Sequence, residues 1–192
     1  MFGVYFIPFW LLTAFNGFYQ MTPKMPPKIF LVFVPAILLV FYGFRANQRI
    51  WIIKKRKIEL SIFLHSIPVE ILLFYLFSNK MVPDLLTFEG RNFHVLAGIT
   101  APIVGYLWIK KSIGRNVIII WNFLALFLIL FVLINGILSS EMPVQMFGVE
   151  QPNRAVNYVP FILLPATIVP ILIYTHIIDL IKLYSEKRTI AL

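Results

Sequence analysis

The stretch Asn116–Leu138 reads NVIIIWNFLALFLILFVLINGIL and contains no charged residue. An α-helix needs about 20 consecutive, mainly apolar residues to cross the hydrocarbon core of a bilayer. This run is long enough, so it predicts a transmembrane helix. The rest of the chain has the same character, because 60% of its 192 residues are hydrophobic and only 13% are charged. Soluble domains have about a quarter of their residues charged, so we expect lipid to be the main solvent of this protein.

Five further apolar runs predict five further spans, and the expected fold is an all-α, six-span bundle forming one integral membrane domain over residues 1–192. The six runs are Phe2–Tyr19, Ile29–Phe44, Leu60–Ser78, Phe93–Ile109, Asn116–Leu138 and Val159–Tyr184. The first run has no basic region before it and no obvious cleavage site, so it predicts a helix rather than a signal peptide. The second and fourth runs are short, and Pro102 makes the fourth a candidate for a kinked or re-entrant segment.

The basic residues indicate the orientation of the bundle. Twelve of the 17 fall on one side of a six-span chain, and they are Arg45, Arg49, Lys54, Lys55, Arg56, Lys57, Lys110, Lys111, Arg115, Lys182, Lys187 and Arg188. By the positive-inside rule this side is cytoplasmic, so both termini are expected in the cytoplasm. The net charge of +9 therefore reflects topology, and the short basic clusters do not predict nucleic-acid binding.

Polar residues within the apolar runs predict an intramembrane binding site. Ionisable groups are costly to bury in hydrocarbon, so each of them needs a partner or a function. The predicted site contains Glu70, His65, Asn122 and His176. Their distances from the ends of the spans place His65, Asn122 and His176 at one level in the cytoplasmic half, with Glu70 nearer the bilayer centre. The alternative is that these side chains only hold helices together through hydrogen bonds.

Two loops on the predicted external side share a composition, because each combines a carboxylate, an arginine and an asparagine. The six residues are Glu89, Arg91, Asn92, Glu150, Asn153 and Arg154. The guanidinium of arginine matches the two oxygens of a carboxylate, so we expect Glu89 to pair with Arg154 and Glu150 with Arg91. Such pairs would clamp the outer face shut or frame an entrance, whereas the alternative is a pair of solvated loops.

Several kinds of chemistry have no support in the sequence. The chain has no cysteine, which excludes disulfides and thiolate chemistry. No HExxH motif, HxxxH motif or acidic cluster has the spacing of metal ligands, so no metal site is predicted. Neither a Ser/His/Asp order nor a phosphate-binding glycine loop is present. The sequence assigns no cofactor and no catalytic residue.

The sequence LTFEGRNF followed by HVLAGITAP, with IPVEILLFYLF upstream and EQPNRAVNYVPFILLPA downstream, resembles a group of small bacterial multispanning proteins known mainly as hypothetical. This resemblance implies a bacterial inner-membrane location and no particular activity. The segment IPVE also resembles the proline-x-glutamate signature of membrane lycopene cyclases. The second acidic residue of that signature is replaced by Ile71 here, so the cyclase activity is not carried over.

Three functions are open at this point, all with membrane lipids around the protein. The first is transport or permeation of a small solute or ion, with Glu70 as the protonatable group and with a homo-oligomer expected for so short a chain. The second is a membrane-embedded enzyme that acts on a lipid or isoprenoid, with Glu70 or Glu89 as general acid and a histidine as its partner. The third is a scaffold or accessory subunit without catalysis.

Overall fold

The computed structural model describes residues 2–20, 28–38, 42 and 66–190. Within these ranges all regular structure is helical and no strand is present, which confirms the predicted all-α class. The α-helices are α1 (Phe2–Phe15), α2 (residues 30–38), α3 (Ser66–Ser78), α4 (His94–Ile109), α5 (Arg115–Leu138) and α6 (Val169–Ile190). Short 3-10 helices lie at Phe18–Gln20, Asp84–Leu86 and Ala155–Asn157, and a π-helical turn, Leu164–Ile168, leads into α6.

Prolines explain why the last helix begins later than its apolar run. The run begins at Val159, but regular α-helix begins only at Val169. Three prolines lie near this stretch: Pro160 and Pro165 lie between Val159 and Val169, and Pro170 directly follows Val169. Proline has no N–H to donate to a helical hydrogen bond. The chain therefore forms a π-helical turn first, and regular α-helix follows in α6.

Two helices are long and apolar enough to cross a membrane, at Arg115–Leu138 and Leu164–Tyr184. Shorter apolar helices lie at Pro68–Ser78 and His94–Ile109. The 16 residues of α4 extend about 24 Å, which is less than the roughly 30 Å of a hydrocarbon core. By length and composition the described residues thus contain two candidate spans, and the count of six stays a prediction.

A face of small residues on α4 lies at the centre of the helix packing. Ala97, Ala101 and Gly105 are all buried, and α4 lies between α3 and α5. Ala101 packs in a cluster with Ile118 of α5 and Leu183 of α6. Small side chains let neighbouring backbones approach closely, and this approach is the usual way in which membrane helices associate.

The outward faces of α4 and α5 are apolar. On α4 the residues Leu96, Ile99, Ile103 and Tyr106 recur every three or four positions, and each is more than half exposed. A similar row on α5 consists of Ile120, Phe123, Leu124, Phe127 and Ile134. Contiguous apolar surface of this extent is unfavourable in water and marks a face that lipid or another protein covers.

Candidate functional site

The site is centred on Glu70, which lies in the first half of α3. Its Oε2 accepts a hydrogen bond of 2.5 Å from Asn92 Nδ2, and its Oε1 lies 3.8 Å from His94 Nδ1. The second distance is within the range of an ion pair but too long for a hydrogen bond. Glu70 and His94 are each 4% exposed. A carboxyl, an imidazole and an amide therefore meet at one buried point.

Asn92 fixes the arrangement of these side chains, because both polar atoms of its amide form hydrogen bonds. Its Nδ2 donates to Leu86 O at 3.1 Å as well as to Glu70. Its Oδ1 accepts a hydrogen bond of 3.2 Å from His94 N, one of the amides at the start of α4 that have no acceptor within the helix. One side chain thus fixes the start of α4 and orients the carboxyl of α3.

The loop before α4 holds Asn92 in place through a tight turn. Thr87 N and Thr87 Oγ1 donate to Asp84 O at 2.7 and 2.8 Å, and Gly90 N donates to Thr87 O at 3.1 Å. A Cβ atom at position 90 would overlap Asp84 O and lie 2.6 Å from Leu85 Cα. Only glycine allows the backbone to approach this closely, which explains the glycine of the TFEGRNF sequence.

A cavity of about 120 Å³ adjoins the cluster, and Glu70, Asn92 and His94 lie on its wall. Most of the remaining wall is apolar, with residues from α2, α3, α5 and α6. Representative lining residues are Phe33, Leu73, Ile129, Val132, Val169 and Leu172. The π-helical turn adds Leu164 and Pro165, and such irregular turns inside helices are frequent at functional sites.

Asn153 supplies a second polar point on the cavity wall. Its backbone N donates to Ser139 O at 2.8 Å, and its Nδ2 donates to Gly136 O at 3.1 Å. Ser140 Oγ donates to the same carbonyl oxygen at 2.7 Å. These bonds hold Asn153 against the end of α5 and leave its Oδ1 as the atom without a partner.

Two residues of this wall each have one buried side-chain atom without a hydrogen-bond partner among the residues that the structure describes. The atoms are His94 Nε2 and Asn153 Oδ1. A buried polar group without a partner costs about 1–3 kcal/mol. A bound molecule that bonds to either atom would remove that cost. The cavity is thus polar at two points and apolar elsewhere, which suits a ligand with an apolar body and a polar group.

The structure divides the predicted intramembrane site. Asn122 and His176 come together, with Asn122 Oδ1 3.0 Å from His176 Nδ1. The Trp121 ring lies beside them, with its centre 6.0 Å from that of His176. Both members of the pair are buried, but neither lines the cavity beside Glu70. His65 lies outside the described residues.

The first predicted ion pair across the outer loops is corrected by the structure. Arg154 pairs with Glu141 instead of Glu89, at 2.7 Å between Nη2 and Oε1. The hydrogen bond from Arg154 to Glu141, together with the charge of Glu141, raises the pKa of Arg154 above its usual value. Glu89 is exposed, and no ion pair in the described ranges joins it to Arg154.

The second predicted pair, Glu150 with Arg91, is also replaced. The guanidinium of Arg91 lies over the Phe147 ring, 5.3 Å from its centre, and Glu150 is exposed. Of the six residues predicted at an outer mouth, Asn92 and Asn153 are the two that line the cavity. The charged residues of these loops do not.

Sequence reasoning missed the roles of His94 and Gln151. Gln151 Nε2 donates to Phe77 O at 2.9 Å and to Val82 O at 2.5 Å, so it binds backbone carbonyls at the end of α3 and in the loop that follows. Nothing in the sequence marks Gln151 for this role. His94 had one signal, since it directly follows the TFEGRNF loop at the start of a helix.

Comparison with known proteins yields a family. A family model described as a domain of unknown function, DUF8737, matches residues 26–184. The matched range includes Glu70, Asn92, His94 and Asn153. No curated protein and no solved structure matches the chain.

Proposed function

The chain belongs to the DUF8737 family, and from its geometry we propose that it is an integral membrane protein that binds an apolar lipid or isoprenoid molecule and moves a proton on it. The main support is the placement of Glu70 and His94. Both side chains are buried, they lie 3.8 Å apart, and both lie on the wall of a mainly apolar cavity. An acid–base pair beside an apolar pocket suits proton transfer to and from a lipid-like ligand.

The proposed location is a membrane, crossed six times, with both ends of the chain in the cytoplasm. Two helices that are long and apolar enough to cross a membrane support it, as do the exposed apolar rows on α4 and α5. The uneven distribution of basic residues supports the orientation. In this topology the Glu70 cavity lies in the external half of the bilayer. The bacterial inner membrane is proposed from the sequence resemblance alone.

The cavity wall favours an apolar ligand over an ion. A path for ions needs polar groups or water along its length, whereas the wall that contains Glu70 and Asn153 is otherwise formed largely by apolar side chains such as Ile129. An apolar cavity of about 150 Å³ holds a benzene molecule. A cavity of about 120 Å³ therefore suits a group of about five non-hydrogen atoms, which is the size of one isoprene unit.

The geometry supports a proton relay. Glu70 Oε1, in its acid form, donates a proton to one carbon of a ligand double bond, and His94 Nε2 accepts a proton from the carbon next to that double bond. One C–H bond is formed and one is broken, so the step moves the double bond and needs no oxidant or reductant. His94 Nδ1 then returns a proton to Glu70 Oε1, and the imidazole regains its starting tautomer by proton exchange with solvent. Asn92 holds Glu70 Oε2 and thereby leaves Oε1 for the imidazole.

The separation of 3.8 Å between the two side chains must shorten for this relay to operate. Catalytic hydrogen bonds are often long in ligand-free structures and tighten when the substrate binds. A shift of less than 1 Å at the start of α4 is enough to bring His94 Nδ1 within hydrogen-bonding distance.

Deuterium exchange tests the proposal. The protein is reconstituted in nanodiscs with a bacterial lipid extract in D₂O, and the lipids and isoprenoids are analysed by mass spectrometry. We expect the native chain to introduce deuterium at a carbon position and Glu70→Gln to lower the rate by at least about a hundredfold, the usual scale for losing a general acid or base.

Glu89→Gln is the matched control for this experiment, because it makes the same chemical change at an exposed carboxyl. It also decides between the two acids that the sequence left open. Equal deuterium exchange in the native chain and in Glu70→Gln would contradict the proposal. So would a result in which Glu89→Gln loses the exchange and Glu70→Gln keeps it.

Proton-coupled transport of a small solute is the second candidate. It is favoured by the extent of the cavity, whose wall includes Glu70 within α3 and Asn153 in a loop predicted to be external. In that case Glu70→Gln abolishes the proton flux that the native chain drives into proteoliposomes, and the native chain introduces no deuterium into the lipids. A third outcome is that the native chain shows neither exchange nor flux and that Glu70→Gln lowers its thermal stability. This outcome would identify the cluster as a set of contacts that only holds helices together.

A further inference from the structure

We propose that the cavity selects a ligand with a hydroxyl group and that Asn153 Oδ1 is the atom that recognises it. This inference rests on the proposed function, because it names the substrate class of the same site. It assigns different tasks to the two partnerless atoms of the wall: Asn153 binds the ligand, and His94 Nε2 takes part in proton transfer.

The orientation of the Asn153 amide determines which atom is free. Nδ2 donates to Gly136 O at 3.1 Å. Rotating the amide by 180° would place Oδ1 against that carbonyl oxygen, and two acceptors would then face each other. The free atom is therefore Oδ1, an acceptor that requires a donor from the ligand.

Asn153 is also held rigidly, since its backbone N donates to Ser139 O at 2.8 Å. The side chain is thus fixed at the end of α5 through both its backbone and its amide. The residue is 4% exposed, and Oδ1 itself has almost no surface accessible to water, so bulk water does not satisfy it. A ligand donor therefore reaches this fixed acceptor when a neighbouring side chain of the wall moves, as side chains at binding sites commonly do.

A hydroxyl is the polar group that fits this acceptor in an otherwise apolar cavity. An O–H group donates one hydrogen bond, whereas an ether or a hydrocarbon donates none. A charged ammonium also donates, but a cation is costly to bury among apolar side chains. The ligand class is therefore an alcohol with a small apolar end, either a branched isoprenoid alcohol or a linear aliphatic one.

An analogue without a donor leaves Asn153 Oδ1 unpaired in the complex. Leaving a buried polar group unsatisfied weakens binding, and we expect at least about a tenfold preference for the alcohol. The preference should depend on Asn153 and not on the overall polarity of the ligand.

The absence of cysteine from the chain permits a direct binding assay. Val156 lines the cavity, so a single cysteine is introduced there by Val156→Cys in the otherwise native, nanodisc-reconstituted protein. Its reaction with methyl methanethiosulfonate is followed by mass spectrometry, and the ligand concentration that halves the rate gives the apparent affinity. Ile103→Cys, on the outward face of α4 and 59% exposed, reports any effect on the reagent itself.

Four probes of equal size, each with six non-hydrogen atoms, separate the contributions. They are 3-methylbutan-1-ol, pentan-1-ol, 1-methoxy-2-methylpropane and 2-methylpentane, compared at equal concentrations in the lipid. The branched and linear alcohols distinguish an isoprenoid from a linear ligand. The ether tests whether an acceptor suffices, and the alkane tests whether shape alone suffices.

We expect at least one alcohol to protect Val156→Cys at concentrations about tenfold or more below those of the ether and the alkane, and Asn153→Leu to remove this difference. Equal protection by all four probes would overturn the hydroxyl preference while leaving an apolar ligand in the cavity. A preference that survives in Asn153→Leu would overturn the assignment to Asn153. If no probe protects Val156→Cys, both this inference and the apolar ligand of the proposed function fail. If Asn153→Leu does not fold, the comparison of the four probes in the Val156→Cys protein, which keeps Asn153, still tests the hydroxyl preference.

Discussion

Asn92 is the residue on which the geometry of the site depends most, because its amide bonds to α3, to the preceding loop and to the start of α4. Asn92→Ala removes all three bonds and leaves Glu70 Oε2 without its donor. We expect it to lower the free energy of unfolding by about 2–3 kcal/mol, measured by denaturant unfolding in detergent micelles. Asn79→Ala is the control, because Asn79 donates only to Tyr75 O at an exposed position. Equal losses in the two variants would contradict the assigned role of Asn92.

Gly90 and Gly136 respond differently to the same added methyl group. A Cβ at position 90 meets the backbone of Asp84 and Leu85, which cannot move away without opening the turn. A Cβ at position 136 meets side-chain atoms at 3.7 and 3.9 Å, which is ordinary contact. We expect Gly90→Ala to destabilise the protein by about 2 kcal/mol or more. Gly136→Ala, within a helix, should stabilise it by about 0.5–1 kcal/mol. Thermal unfolding of the two variants side by side tests this contrast, and a Gly90→Ala protein as stable as the native one would refute the packing argument.

At the scale of helices and loops, prediction from sequence succeeded for some parts of the site and failed for others. Depth along a span placed Asn122 and His176 at one level, and the two side chains meet, because the rise per residue is constant along α-helices. Depth along a span could not find the partners of Glu70, because Asn92 lies in the loop before α4 and His94 lies at the start of α4. This part of the chain folds back against α3. The fold of the loop depends on the contact of Gly90 with the Asp84–Leu85 backbone, and no periodic sequence pattern encodes such a contact.

The Asn122–His176 pair joins α5 to α6, and we expect it to be structural. Asn122→Leu and His176→Leu should each destabilise the protein, and the double variant should lose less than the sum of the two single losses. Interhelical hydrogen bonds in membranes contribute about 0.6 kcal/mol on average and up to about 1.7, so the coupling energy should fall in that range. Unfolding measurements on this double-mutant cycle test the pair. Strictly additive losses would show that the two side chains do not interact.

At the scale of the whole molecule, composition predicted an all-α fold, and the run Asn116–Leu138 predicted α5 to within one residue. Length alone does not determine the number of spans, because α4 and the described part of α3 are shorter than a bilayer is thick. The proposed orientation nevertheless makes a local prediction about α5. The loop before it should be cytoplasmic, and the loop after it should be external.

Single cysteines in the cysteine-free chain test this crossing. We expect Glu150→Cys to react with a membrane-impermeant maleimide added to intact spheroplasts, because its loop follows α5 on the external side. Ser112→Cys, in the loop before α5, should react only after the membrane is permeabilised. Reaction of both cysteines from the same side would show that α5 does not cross the membrane.

The most direct test of the proposed acid–base site is the ¹⁵N NMR spectrum of the histidines, of which the chain has only three. With ¹⁵N-histidine in nanodiscs, each imidazole is assigned by single replacement with glutamine. We expect Glu70→Gln to shift the His94 Nδ1 resonance and 3-methylbutan-1-ol to shift His94 Nε2, with His176 unchanged in both experiments. A His94 spectrum that is insensitive to Glu70→Gln, or a probe that shifts His176 and leaves His94 unchanged, would contradict the site.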